Sequence, residues 1–287
     1  MDMIIRKIKL VLTVLPMLFT SVAVAEQVSL TLPEDIVATA EYERGEPGKP
    51  LVIFIHGFLQ THEFSTVSRL HTAMNQNGYP VLSPTLSLGI SNRAQSIPCE
   101  SIHLHSLDND SYEIERWVKW AESKGYQDII LVGHSAGSVN ITSYLARNHN
   151  RTVSKTILIS LTYYGPGRPA AFETVAHEEK ARDMLKRGDT TLAEFALAFC
   201  KKYVSTAEKF LSYYDWSDDR IIEAIDRSRS KDYVIIGGAD ERIAQDWLNK
   251  LESSTAEVIV IDEASHFFDK SQEFDLQDAV EDILETE

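Results

Sequence analysis

Cysteine is nearly absent, with only Cys99 and Cys200 in 287 residues. That excludes a disulfide-dense scaffold and leaves too few thiols for a cysteine-built zinc site. Proline (9) and glycine (13) are scarce as well, far below what a collagen-like or low-complexity chain requires. Positive charge is also short: 28 Lys and Arg stand against 43 Asp and Glu, for a net charge of −15. Such a chain repels nucleic acid and anionic membrane surfaces, so neither is an expected partner. Past the first 25 residues no stretch is apolar enough to cross a bilayer, which takes about 20 residues.

Those 25 residues form a pattern of their own. Arg6-Lys7-Ile8-Lys9 precedes an apolar run from Leu10 to Leu18, and Ala23-Val24-Ala25 follows. A basic segment, a short apolar segment and an A-x-A site are the layout of a secretory signal peptide. A retained anchor is the alternative, but Thr13, Pro16, Thr20 and Ser21 interrupt the run. The expectation is therefore cleavage after residue 25, an exported periplasmic or secreted protein, and no stable membrane insertion afterwards. Cleavage removes Arg6, Lys7, Lys9 and Asp2 and takes the net charge to −17. Cys99 and Cys200 would then meet an oxidising compartment, either as a disulfide or as two buried apolar thiols.

The remaining chain is long enough for one substantial core. Runs rich in Ile, Leu and Val lie at Leu51 to His56, Pro80 to Leu82, Asp128 to Gly133, Thr156 to Leu161, Tyr233 to Gly237 and Glu257 to Asp262. Nearly continuous apolar strands are buried on both faces. Helix-length segments separate them, for example Tyr112 to Lys124 with Ile114, Trp117, Val118 and Ala121 at helical spacing. The pattern predicts an α/β fold with a doubly wound, mostly parallel sheet. Residues 28 to 43 alternate like an antiparallel edge pair. Between Tyr163 and Ser230, opened by Gly165-Pro166-Gly167-Arg168-Pro169, no strand-like run occurs, and this stretch is expected to be a helical cap. The predicted organisation is thus a signal peptide (1–25), a core (26–162 and 231–287) and a cap insertion (163–230).

Chemistry concentrates at Gly133-His134-Ser135-Ala136-Gly137, between the strand Asp128 to Val132 and the helical stretch Val139 to Arg147. A serine on a strained strand-to-helix turn needs glycines at the flanks, where a Cβ would collide. The new helix aims its first N–H groups at developing negative charge. With this motif, and with His56-Gly57-Phe58 directly after the strand Leu51 to Ile55, the sequence resembles the α/β-hydrolase superfamily over nearly all of the chain outside the signal and cap segments. The resemblance implies an oxyanion hole from the backbone N–H groups of Phe58 and Ala136. It also implies the chain order serine, acid, histidine. Asp240, in Gly237-Gly238-Ala239-Asp240-Glu241-Arg242 after a strand, is the implied acid, with Glu241 as fallback. His266, in Ala264-Ser265-His266-Phe267-Phe268, is the only histidine after that acid and the implied base.

A hydroxyl becomes a nucleophile when an imidazole takes its proton, and a carboxylate partner fixes the tautomer and raises the imidazole pKa. The expected activity is cleavage of a carboxylic ester through an acyl-enzyme on Ser135. A thioesterase or amidase using the same residues is the alternative, and a non-catalytic binding protein on the same fold is the rival of another class. Dehalogenases of this superfamily need a carboxylate where Ser135 stands. No phosphate loop, dinucleotide fingerprint or metal motif competes, so no cofactor is expected. His103, His105, Asp108 and Asp110 suggest a metal only weakly and fit a solvated loop or a cleft wall better. Tyr163, Tyr164 and Trp216 are candidate substrate contacts, with self-packing of the cap as the alternative.

Overall fold

The alternation of apolar side chains along each central strand splits one sheet between two apolar layers. The computed structural model describes residues 25–148, 150–168 and 175–286, so the expected signal peptide lies outside the described residues. The strands are β1 (Glu26–Thr31), β2 (Val37–Glu43), β3 (Leu51–Ile55), β4 (Val81–Thr85), β5 (Ile102–His103), β6 (Ile129–His134), β7 (Val153–Ile159), β8 (Ala193–Leu197), β9 (Cys200–Ser205), β10 (Lys231–Gly237) and β11 (Glu257–Ile261). Eight of them form the main sheet in the order β1-β2-β4-β3-β6-β7-β10-β11. β1, β2 and β4 pair antiparallel, and the pairings from β4 through β11 are parallel. Leu51, Ile53 and Ile55 of β3 and Ile129 and Leu131 of β6 face one layer. Val52, Phe54, Ile130 and Val132 face the other. A period of two with both faces buried is why these strands read as unbroken apolar runs.

The helices are α1 (Ser65–Gln76), α2 (Leu107–Ser123), α3 (Ala136–Leu145), α4 (Val175–Lys186), α5 (Ala207–Tyr214), α6 (Asp218–Asp226), α7 (Gln245–Glu252) and α8 (Gln272–Glu285). Helices α1 and α8 cover one face with Val67, Leu70, Met74, Val280 and Ile283. Helices α2, α3 and α7 cover the other with Ile114, Trp117, Val139 and Trp247. Helix α2 begins five residues before the expected Tyr112. Ser106 accepts from the Asn109 N–H, and the Asn109 side chain accepts from the Ser106 N–H, a reciprocal cap that fixes the start.

The stretch 163–230, expected to be a helical cap, departs from the all-helical expectation. Between 163 and 230, β8 and β9 form a hairpin that joins β5 in a separate three-stranded sheet. Neither strand carries the β-branched run that marks a strand in sequence. They are held by their partners instead: Ile102 pairs with Val204, and Cys99 is disulfide-bonded to Cys200. Tertiary pairing overrides a weak local preference here. Helix α6, inside the same stretch, packs on α3 and adds Ile221 and Ile225 to the main apolar layer. No helix among the described residues is long and apolar enough to cross a membrane.

Candidate active site

Ser135 sits between the end of β6 and the start of α3 with φ 57° and ψ −118°, outside the regions that side-chain-bearing residues prefer. The two glycines make this turn possible. A Cβ on Gly133 would lie 2.6 Å from the Gly137 carbonyl carbon, and one on Gly137 would lie 2.2 Å from the Ile55 carbonyl oxygen. The turn is pinned from beneath: the Ser135 N–H donates to Ile159 O at 2.8 Å, and Ser138 Oγ donates to Gly133 O and Ile159 O at 2.9 Å each. Strain at one residue persists because its neighbours over-determine it.

The loops after β10 and β11 meet the serine. Ala239 N–H donates to Ala264 O at 2.9 Å and Gly238 N–H to Ile261 O at 2.8 Å, which locks the two loops together. The His266 Nδ1–H donates to Asp240 Oδ2 at 2.6 Å, and Nε2 accepts from Ser135 Oγ at 2.9 Å. The other Asp240 oxygen accepts from the Arg242 N–H at 3.0 Å. Asp240 and His266 are buried and Ser135 is partly exposed, while the fallback Glu241 is exposed. Contrary to the expected upward shift, the His266 pKa lies below the ordinary 6.5. Burial lowers it, Asp240 opposes, and Arg242 and Arg168 lower it further.

Two positioning elements were invisible in the sequence. The His134 Nε2–H and Ser160 Oγ both donate to the His266 carbonyl, at 2.9 and 3.0 Å. Burial pushes the His134 pKa down to about 3, with His266 repelling its charge, so the ring is neutral. Under the Gly57-Phe58 loop, His56 Nδ1–H donates to Gly57 O at 2.9 Å, and its Nε2 accepts from the Leu86 N–H at 3.0 Å. Buried Arg93 donates to Gln60 O and Leu86 O, both at 2.6 Å, which ties that loop to the segment after β4.

A cavity of about 230 Å³ opens at Ser135, bordered by Phe58, Ala136, Tyr164, Phe199 and Phe267. The Ala136 N–H is in the first turn of α3, where no residue one turn back can accept it. Of the three aromatic candidates, only Tyr164 reaches the cavity. Tyr163, the neighbouring residue, points away and packs edge-on against Trp247 at 5.1 Å. Trp216 is buried under the Arg220 guanidinium, 4.5 Å from its ring. Its carbonyl accepts from the Tyr164 N–H at 3.0 Å, so it holds Tyr164 through the backbone. Phe199, at the turn of the β8–β9 hairpin, remains 53% exposed at the cavity mouth and lies edge-on to Phe58 at 5.7 Å.

His103 and His105 stand elsewhere. His103 stacks on Tyr203 at 4.2 Å. His105 Nδ1 is 2.5 Å from the Tyr213 hydroxyl, which donates to Asp110 Oδ2 at 2.6 Å. A larger depression of about 680 Å³, bordered by Tyr42, Trp120 and Tyr126, lies at the amino ends of β3 and β6, away from Ser135.

A family model described as "Alpha/beta hydrolase family" matches residues 52–275. No curated protein sequence matches the chain. Among solved structures, it is similar to Est1E from Butyrivibrio proteoclasticus, at a TM-score of 0.64 and 17% identity over 91% of this chain and 97% of that one. It is also similar to a thioesterase domain from the curacin biosynthetic pathway (0.61, 16%, 92% and 100%). Alpha/beta hydrolase GrgF from Penicillium sp. sh18 gives 0.68 and 11% over 91% and 97%. Identities this low carry the fold alone.

Proposed function

The chain belongs to the alpha/beta hydrolase family, and from that premise we propose a serine hydrolase that cleaves a carboxylic ester through an acyl-enzyme on Ser135. The observation that carries the reading is the continuous hydrogen-bond chain from Ser135 Oγ through His266 to Asp240. In this mechanism His266 Nε2 takes the Ser135 proton as Oγ attacks the ester carbonyl. Asp240 holds the proton on Nδ1 and stabilises the imidazolium. The N–H groups of Phe58 and Ala136 receive the oxyanion. His266 then protonates the departing alcohol, and water repeats the sequence to free the acid. Thioesters and amides would use the same groups.

A cavity of about 230 Å³ is below the usual ligand-pocket range of ~300–1,000 Å³, which supports a short acyl group. A panel of p-nitrophenyl esters of graded chain length tests the reading. The expected kcat/KM is highest for short chains and lost in Ser135→Ala. Equal turnover by the folded Ser135→Ala protein would remove the serine from the mechanism. Export is part of the same proposal. It is supported by the layout of residues 1–25, by β1 opening at Glu26 directly after Ala25, and by the Cys99–Cys200 disulfide. Sequencing the amino terminus of protein recovered outside the cytoplasm should give Glu26.

A further inference from the structure

Two arginines border the cavity beside Ser135, in a chain where acidic residues outnumber basic ones 43 to 28. Arg168 comes from the loop after β7 and Arg242 from the loop carrying Asp240. Among the described residues neither guanidinium forms an ion pair, and Arg168 Nε is buried with no hydrogen-bond partner. Arg242 lies over the Phe267 ring at 5.0 Å. The hydroxyls of Thr162 and Tyr164, also on the cavity wall, are buried and unpartnered too. Buried donors normally find acceptors. Two unpartnered acceptors, Gln60 Oε1 and His134 Nδ1, border the same space, so what is unspent there is the charge of the two guanidiniums together with the Arg168 N–H and the two hydroxyls.

We propose, on the reading of Ser135 as nucleophile, that the ester carries a carboxylate held by Arg168 and Arg242. A planar guanidinium matches a carboxylate in two parallel hydrogen bonds. Tyr164 and Thr162 can donate to the same group. The low-dielectric wall focuses the arginines' field on the cavity mouth and attracts an anion despite the protein's net negative charge. Burial lowers the Arg168 pKa and Arg242 adds to the effect, so the two cations sit close enough to repel; an anion between them relieves this. Arg242 and Arg168 also depress the His266 pKa, so a bound carboxylate would raise it toward the ordinary value.

Two ester pairs test the proposal and separate acyl from alcohol: mono-p-nitrophenyl glutarate against p-nitrophenyl hexanoate, and p-butyryloxybenzoate against phenyl butyrate. The expected kcat/KM of the acidic member exceeds that of its neutral partner by about 10-fold or more in at least one pair. Arg168→Gln with Arg242→Gln brings the ratio close to unity, Arg242→Lys keeps the charge without the paired hydrogen bonds and so retains only part of it, and high salt weakens it in the unmodified protein. A ratio of one or less in both pairs overturns the proposal. Calorimetric titration of the Ser135→Ala protein with monomethyl and dimethyl glutarate reads the site without turnover. Tighter binding of the monomethyl ester, lost in Arg242→Gln, supports a carboxylate on the acyl side, and equal binding refutes an acyl-side carboxylate. Failure of the nucleophile reading would appear separately, as no turnover of any of the four esters by the unmodified protein.

Discussion

Asp240→Asn isolates what the carboxylate does. Asn retains an oxygen that can accept from the Arg242 N–H, as Asp240 Oδ1 does now at 3.0 Å, so the turn should survive. The other oxygen, 2.6 Å from His266 Nδ1, becomes an NH2 group. Two donors cannot face each other at that distance, so the imidazole gives up its Nδ1 proton and carries it on Nε2 instead. Nε2–H then points at Ser135 Oγ across 2.9 Å and cannot accept the hydroxyl proton. The wrong tautomer should lower kcat about 10⁴-fold, or ~5.4 kcal/mol of activation free energy. The assay is p-nitrophenyl ester hydrolysis at neutral pH, with urea unfolding as the check on stability. Glu241→Gln, an exposed neighbour, should leave the rate within about two-fold, in line with ordinary surface substitutions. If Asp240→Asn keeps a tenth or more of the activity, Asp240 does not set the tautomer. If Glu241→Gln is the damaging change, the acid has been misassigned.

Further expectations follow from the same geometry. Activity should rise with pH through a single ionisation whose midpoint lies below 6.5, because the His266 pKa is depressed and the neutral imidazole is the base; a midpoint well above 7 in kcat/KM would contradict the burial argument. Unfolding below pH 6.5 exposes His56 and His134, both pushed down to about 3, and His103, pushed down to about 4, and all three take up protons. Glu113, pushed up to about 7 by burial, is protonated in the fold and releases its proton on unfolding. Three protons gained against one lost make stability present above pH 6.5 fall by ~2.7 kcal/mol per pH unit between pH 6 and 5, measurable by urea unfolding. Gly137→Ala places a methyl 2.2 Å from Ile55 O, so the nucleophile turn must shift; about 2–3 kcal/mol of stability should be lost along with most activity, and unchanged urea midpoints would argue against the contact. Reduction of Cys99–Cys200, which closes a separation of 101 residues, should cost about 4 kcal/mol and lower the Tm; an unaltered melting curve would mean the cap does not depend on it.

Strands β3, β6 and β10 were legible because they are buried on both faces, so residue type alone marks them, and β11, half-buried at the sheet edge, by its Val-Ile-Val-Ile run. The turns after β6, β10 and β11 carry Ser135, Asp240 and His266, which the fold brings into one hydrogen-bonded chain. The cap hairpin was hidden because β8 and β9 owe their strand conformation to β5 and the disulfide, partners that local pattern does not reveal. Tyr163 and Tyr164 were indistinguishable as a dipeptide, and only the backbone direction after β7 sends one to the cavity and the other to Trp247. Arg93, Ser160 and His134 act through backbone carbonyls, contacts with no signature in spacing. The direction of the His266 pKa shift needed the depth of burial and the two arginines, neither of which the triad pattern contains.

The central claim is that Ser135 is an activated nucleophile, and covalent trapping tests it most directly. The protein is treated with a fluorophosphonate at neutral pH, digested and mapped by mass spectrometry. One adduct is expected, on Ser135 alone, forming quickly in the unmodified protein and slowing by about 10³-fold or more in His266→Ala. No adduct, an adduct on another serine, or labelling that is indifferent to His266 would contradict the account.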